Sequence, residues 1–398
     1  MEKNKGPFRL DGLLNFVKRN ARLVIGVLTV ILALLILVVV VGGNRDTTPE
    51  PSQTGTTAAN TTATQTTTTT TTTAPADPTV PTTTVEQIPL LYTHPLTGVA
   101  LAEPMLDRPI AVMLNNAKGA MPQHGVSQAD IVYETLTEGG VTRCMGIFTN
   151  VAQVEKIGAI RSARLYFVQL SQAYDAAYVH AGGSSEANRY LEKLKGMDLH
   201  AGLSATHFYR DQDRLNSGYA LEHTLFTSGT LLLDYAQVRK VATTVESEQD
   251  YGMHFDEEAV LAGTKAEKVK VYFHTWDKPT TLTKTTELTY NAQDGLYYAA
   301  QHGGDYVDGN GGNAAFRNVV ILRTHVEIQE DQNHLTIVNV GSGTGHFIRD
   351  GEMVPIRWSR TSATEPFHFT LENGEEVPFG VGSTYIAIIP NHGQVDFE

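Results

Sequence analysis

Two arginines three residues apart stand in the run Ile157-Gly158-Ala159-Ile160-Arg161-Ser162-Ala163-Arg164. A glycine-led turn into a helix begun by Ser162 sets both guanidinium groups beside unpaired helix amides. That combination suits an anion, phosphate or carboxylate. The competing reading pairs each arginine with Asp130, Glu134 or Glu138 and makes the set a brace between strands. Both stay open on the residues alone. The next polar run is Tyr178-Val179-His180-Ala181-Gly182-Gly183-Ser184-Ser185-Glu186. There a strand delivers His180 to its end, and a small-residue loop lets backbone approach a ligand, a favoured place in α/β proteins. The alternative is a histidine packed under a turn, with Ser184 or Ser185 capping the following helix. Arg143, Tyr209, Arg210 and His223 complete the candidate ligand set, close to strand ends or turns.

Other chemistry finds no motif. The sequence contains no GxSxG elbow, HExxH helix or Walker loop. Gly341-Ser342-Gly343-Thr344-Gly345 lies between strand-like runs and reads as a turn, not as a dinucleotide loop. Asp305–Asn313 has the acids and glycines of a calcium loop without its spacing or terminal glutamate. The single cysteine, Cys144, excludes an intramolecular disulfide and a cysteine-based zinc site. It follows Arg143 inside a strand-like run and reads as a buried thiol. No metal or cofactor is expected.

Strands must carry these residues to one place. Pro109–Asn115 reads as a buried strand, Ala129–Leu136 as a more alternating one and Thr142–Asn150 as a third. Ser162–Ala176 has the apolar spacing of an amphipathic helix, Ala177–His180 is a short strand, and Glu186–Lys195 a second helix. After residue 246 the runs are short and β-branched or aromatic: Val269–Phe273, Glu287–Tyr290, Leu296–Ala299, Asn318–Thr324, Leu335–Val340, His346–Arg349, Met353–Trp358, Phe367–Leu371 and Thr384–Ile389. Turn residues separate them, and Asp350-Gly351 and Asn373-Gly374 are the strongest hairpin signals. The pattern predicts an α+β protein: a mixed α/β unit over 88–245, then a mainly antiparallel β unit over 246–398.

Ahead of these units lies a different composition. Leu23–Val41 is uncharged, with Thr29 its only hydroxyl. At about 1.5 Å per residue such a helix spans a bilayer's hydrocarbon. We expect a basic cytoplasmic N-terminus over 1–22, a transmembrane helix over 23–43 and a Thr/Pro-rich disordered linker over 44–87, which includes eight consecutive threonines at Thr66–Thr73. The apolar run exceeds a signal peptide's core and lacks a small-x-small cleavage site. Six basic residues precede it, so the N-terminus should stay cytoplasmic and the remainder extracytoplasmic at the plasma membrane. Residues 1–45 hold seven basic and two acidic side chains, a net +5. The other residues hold 23 basic and 41 acidic, a net −18 within the chain's −13. A bulk this acidic excludes a nucleic-acid partner.

Several of these segments together resemble the YerB-like family of bacterial envelope proteins, defined by a domain of unknown function. They are Pro95–Gly98, Arg108–Asn116, Ala129–Glu134, Glu138–Arg143, Ile157–Arg164, Tyr178–Ser184, Phe208–Arg210 and His223–Phe226. The resemblance implies a two-part extracytoplasmic protein of Gram-positive type without an established activity. This chain departs in two places. Family lipoproteins carry a lipid-modified cysteine where it has the Leu23–Val41 run, and Thr224 stands where the family has asparagine after the histidine. A fainter similarity is to the LytR–CpsA–Psr transferases of phosphate-linked glycopolymers, whose Ile-Pro-Arg-Asp signature Ile160-Arg161-Ser162 matches in part.

The first expectation is therefore a membrane-tethered envelope protein binding an anionic cell-wall polymer or a partner protein. Arg161, Arg164 and Arg143 would hold the anion, and His180 and Tyr209 would orient it. The alternative is a transferase or hydrolase of phosphate-linked glycan, with Asp130 or Glu134 near a metal.

Overall fold

The computed structural model describes residues 90–275, 278–331 and 334–398, with backbone alone at 275 and over 278–283. The stub, membrane helix and linker expected over 1–87 lie outside the described residues. No helix among the described residues is long and apolar enough to cross a membrane.

The N-terminal half supplies five strands to one sheet: β1 (Ile110–Asn115), β2 (Ile131–Leu136), β3 (Thr142–Phe148), β4 (Ala177–His180) and β5 (Asp198–His200). Every residue of β1, β2 and β3 is buried, as expected for strands covered on both faces. The alternation in β2 therefore does not mark a wet face: Glu134 and Thr135 are inside. The C-terminal half contributes β6 (Thr264–Lys265), β7 (Lys268–Thr275), β8 (Lys278–Asn291), β9 (Leu296–Gln301), β10 (Asn318–Thr324), β11 (Gly341–Arg349), β12 (Glu352–Arg360), β13 (His368–Leu371), β14 (Thr384–Pro390) and β15 (Val395–Phe397).

The main sheet has eleven strands in the order β6–β12–β11–β10–β14–β2–β3–β1–β4–β5, with β13 added beside β12. The two sequence halves meet where β14 pairs with β2 in parallel, Thr384 opposite Ile131 through Ile388 opposite Thr135. A second sheet holds β9, β8, β7 and β15 in antiparallel order.

Most C-terminal pairings are antiparallel, as the turn rhythm predicts, but β10 and β14 pair in parallel over seven residues. Local turn signals cannot reveal that pairing, because β14 returns beside a strand some 60 residues earlier. The Asp350-Gly351 hairpin forms between β11 and β12, with φ of 55° and 77°. Gly341–Gly345 is not a turn. It forms the start of β11, where a Cβ on Gly345 would come within 2.3 Å of the Ile321 carbonyl oxygen. Glycine is used there for close strand approach.

Four helices pack around the N-terminal half: α1 (Leu165–Gln172), α2 (Ser185–Leu191), α3 (Gln212–Asn216) and α4 (Gly229–Arg239). The first starts later than the apolar spacing suggests. Ser162 does not cap it; Arg164 occupies the cap position without a side-chain cap bond. Residues 161–163 are instead tied down as extended chain: Arg161 N donates to Met113 O, Ala181 N to Arg161 O and Ala163 N to Gly182 O. Backbone pairing on both sides outcompetes the helical turn. The second helix is also shorter than expected, ending at Leu191.

Candidate functional site

Strands β1, β2 and β4 run parallel, and β3 runs against them. Their arrangement brings Asn115, Leu136 and His180 at three carboxyl ends to the same edge as Thr142 and Arg143 at the start of β3. The loop from Thr137 to Val141 hangs Glu138 over that edge; Gly139 and Gly140 turn it with φ of 69° and 72°. The extended segment 160–163 crosses the end of β1 and delivers Arg161 and Arg164.

Glu138 sits between two of the arginines. The Arg164 guanidinium grips it side-on through one edge, Nε to Oε1 and Nη2 to Oε2, the latter at 2.6 Å. Its Nη1 donates to Ala163 O at 2.7 Å. Arg143 Nη2 lies 3.7 Å from the same carboxylate, and its Nη1 donates to Ser162 O at 3.0 Å. Burial pushes the Glu138 carboxyl up, but the two arginines outweigh it and hold it below the ordinary range. Burial, and then the charge of Arg164, brings Arg143 down to about 10. This is the brace reading realised for Arg143 and Arg164.

Arg161 differs. Its Nε is buried and has no hydrogen-bond partner. The charges it feels are Glu222, Arg164 and Glu138. Beside it, Asn115 Nδ2 donates to His223 Nδ1 at 2.8 Å and to Glu222 O at 3.3 Å. His223 is thereby fixed with Nδ1 as acceptor and Nε2 carrying the proton. Burial lowers its pKa, and Arg161 and Arg214 lower it further against Glu222, so the ring is neutral at pH 7. The fully buried Tyr178 hydroxyl lies in the field of Arg143 and Arg164.

The remaining candidates stand apart. His180 is buried, its Nδ1 on Gly182 O at 2.6 Å and its Nε2 on Asp198 at 3.0 Å. Both ring nitrogens are committed, so it is not available to orient an anion. Ser184 Oγ accepts from Ala187 N and caps α2. Tyr209, 40% exposed, feels Asp211 and Glu155 and makes no hydrogen bond to Arg143, Arg161 or Arg164 among the described residues. Arg210 donates to Leu221 O at 2.6 Å and so steadies the turn that carries His223. Asp130 precedes β2, about 20 Å along the strand from Glu138's end, and accepts from Thr149 N and Oγ1 at 2.7 Å. Glu134 faces the C-terminal half. It accepts from Lys284, Asn116, Thr142, Thr286 and Tyr385 and has no exposed surface. Burial pushes its carboxyl up, but Lys284 and the hydroxyl donors hold it below the ordinary range. Cys144 is buried in β3, and burial pushes its thiol up, leaving it unreactive.

Sequence reasoning did not single out Asn115 or Glu222, because an asparagine ending an apolar strand and a glutamate in a turn carry no local signature. It also passed over a hydroxyl–imidazole–carboxylate chain. Ser204 Oγ lies 2.5 Å from His207 Nδ1, and His207 Nε2 lies 2.8 Å from Asp234. That chain ties the turn before Phe208 to α4.

Residues 96–242 match the N-terminal domain, and 274–386 the C-terminal domain, of the family described as protein of unknown function DUF3048. The chain is 28% identical over 311 residues to the Bacillus subtilis protein named "Putative lipoprotein YerB", covering 75% of this chain and 86% of that protein. The crystal structure of the Bacillus subtilis YerB protein superposes with a TM-score of 0.66 at 26% identity, covering 77% of this chain and all of that one. With both domain matches in order along a shared two-part fold, the chain belongs to the YerB-like DUF3048 family of proteins of unknown function.

Proposed function

We propose that the protein is a membrane-tethered, extracytoplasmic envelope protein that holds an anionic group of a wall polymer or partner protein at Arg161. The observation that carries this reading is the buried, unpartnered Nε of Arg161, next to two arginines already spent on Glu138. Three guanidinium groups face Glu138 and Glu222 at this edge, leaving local positive charge on an acidic protein. Neutral His223, held by Asn115, offers an N–H donor beside it. The relative's name supports the envelope assignment. Here the 23–43 run takes the place of a lipid, since the only cysteine lies in the core. The 44–87 linker is the spacer that lets the folded part stand off the membrane.

The test is sedimentation of the full chain, in detergent, with purified cell wall, alongside calorimetric titration with inorganic pyrophosphate at low salt. Arg161→Ala should weaken both by tenfold or more while Arg357→Ala, at an exposed position on β12, leaves them unchanged. Binding equal to wild type in Arg161→Ala refutes the assignment.

A further inference from the structure

At the seam between the two sequence halves lies a dry cluster that the anion site does not use. Glu134 and Gln123 have no exposed surface, Asn116 is 1% exposed, and the Lys284 side chain is 4% exposed. Lys284 Nζ donates to Glu134 Oε1. Asn116 Nδ2 donates to that same oxygen at 2.9 Å and to Thr142 Oγ1 at 2.9 Å. The amine and the carboxamide thus share one carboxylate oxygen, which puts their nitrogens no more than ~6 Å apart. On the other side of the amide, Gln123 Nε2 donates to Asn116 Oδ1 at 3.1 Å. The ring of Phe273 covers the lysine, 5.4 Å from Nζ.

We infer that Lys284 and Asn116 are the two halves of an intramolecular amide cross-link, with Glu134 moving the protons. Each group the reaction needs is in place. Glu134 takes a proton from the Lys284 ammonium, and the freed Nζ lone pair attacks Cγ of Asn116. Negative charge develops on Oδ1, where Gln123 Nε2–H stabilises it. Glu134, in contact with both nitrogens, takes a further proton from Nζ as it returns one to Nδ2. The Cγ–Nδ2 bond then breaks and ammonia departs. One C–N bond forms and one breaks, nothing is oxidised or reduced, and no outside reactant is consumed. Exclusion of water keeps hydrolysis from competing. Burial of a lysine ordinarily carries a large desolvation cost, and here it gives the chain a means of locking β8 to the end of β1. An exported protein whose one cysteine is buried cannot obtain such a lock from a disulfide.

The test is the intact mass of the full chain, denatured, together with tandem mass spectrometry of its tryptic peptides. The expected result is a mass below that of the sequence by one ammonia, about 17 Da, and a branched peptide joining Asn116 to Lys284. Lys284→Met should restore the full mass, and Glu134→Gln should restore or slow it. A wild-type mass equal to the sequence mass after prolonged incubation overturns the inference, whether or not either variant folds. So does an ammonia loss that persists in Lys284→Met or maps to another asparagine.

Discussion

Replacing Glu138 with glutamine separates bracing from binding at the sheet edge. The change preserves size but removes the charge between two arginines whose side chains are 7% and 10% exposed. Arg164 loses a two-pronged charged contact and keeps its bond to Ala163 O. Arg143 keeps Ser162 O but loses the opposing charge. Breaking a buried pair from one side costs about 3–5 kcal/mol. Because Glu138's own side chain is 14% exposed, water relieves part of this, and about 3 kcal/mol is the reasonable figure. For a folded unit spanning Thr84–Glu398 that lowers the melting temperature by roughly 4–6 °C. Circular-dichroism melts at pH 7 would read it. The sign with pH follows from the depressed Glu138 pKa. The stabilisation is full above the ordinary glutamate value of 4.5 and disappears as pH falls through the lower folded value. Wild type and Glu138→Gln should therefore converge in acid. Removing Arg164 from the Glu138→Gln background should recover part of the loss, because the two effects share a partner. A melting temperature within roughly 1 °C of wild type at pH 7 would refute the brace.

Two further outcomes follow from particular contacts. Gly345→Ala places a Cβ 2.3 Å from the Ile321 carbonyl oxygen, so it should destabilise by about 1–3 kcal/mol; an exposed turn would tolerate it, and denaturant melts distinguish the two. His124 is pushed down to about 4, first by burial and then by Lys156 and Arg214, and its Nδ1 has no partner. The unfolded chain takes up that proton near pH 6.5 and the folded one resists it, so stability should fall from pH 6.5 toward 4. His124→Gln should flatten that fall in urea titrations by close to one proton; an unchanged slope would dismiss the effect.

Much of the fold was legible because its signals are local. The C-terminal strands announce themselves by β-branched runs between turn residues, and Asp350-Gly351 sits at a hairpin because both positions tolerate positive φ. The arginine cluster was legible in part: spacing alone brings Arg161 and Arg164 together, and Glu138 was among the acids weighed for them. The partition of roles was not. Arg164 is braced and Arg161 is free because the extended segment 161–163 is pinned between β1 and the loop after β4, a pairing set by distant backbone. His180, promising as a strand-end residue, meets Asp198 only because β4 and β5 pair in parallel.

The sequence by itself determined the division of the chain into a basic and apolar start, a threonine-rich middle and an acidic folded remainder. It also determined the α+β class, since composition and periodicity act over short distances. Only the tertiary structure decided that the two halves share a sheet through β2 and β14. The same packing gives Glu134 five buried donors from both halves and sets Asn116 and Lys284 on a single carboxylate oxygen. Residues 168 positions apart become reacting neighbours through packing, which no local pattern encodes.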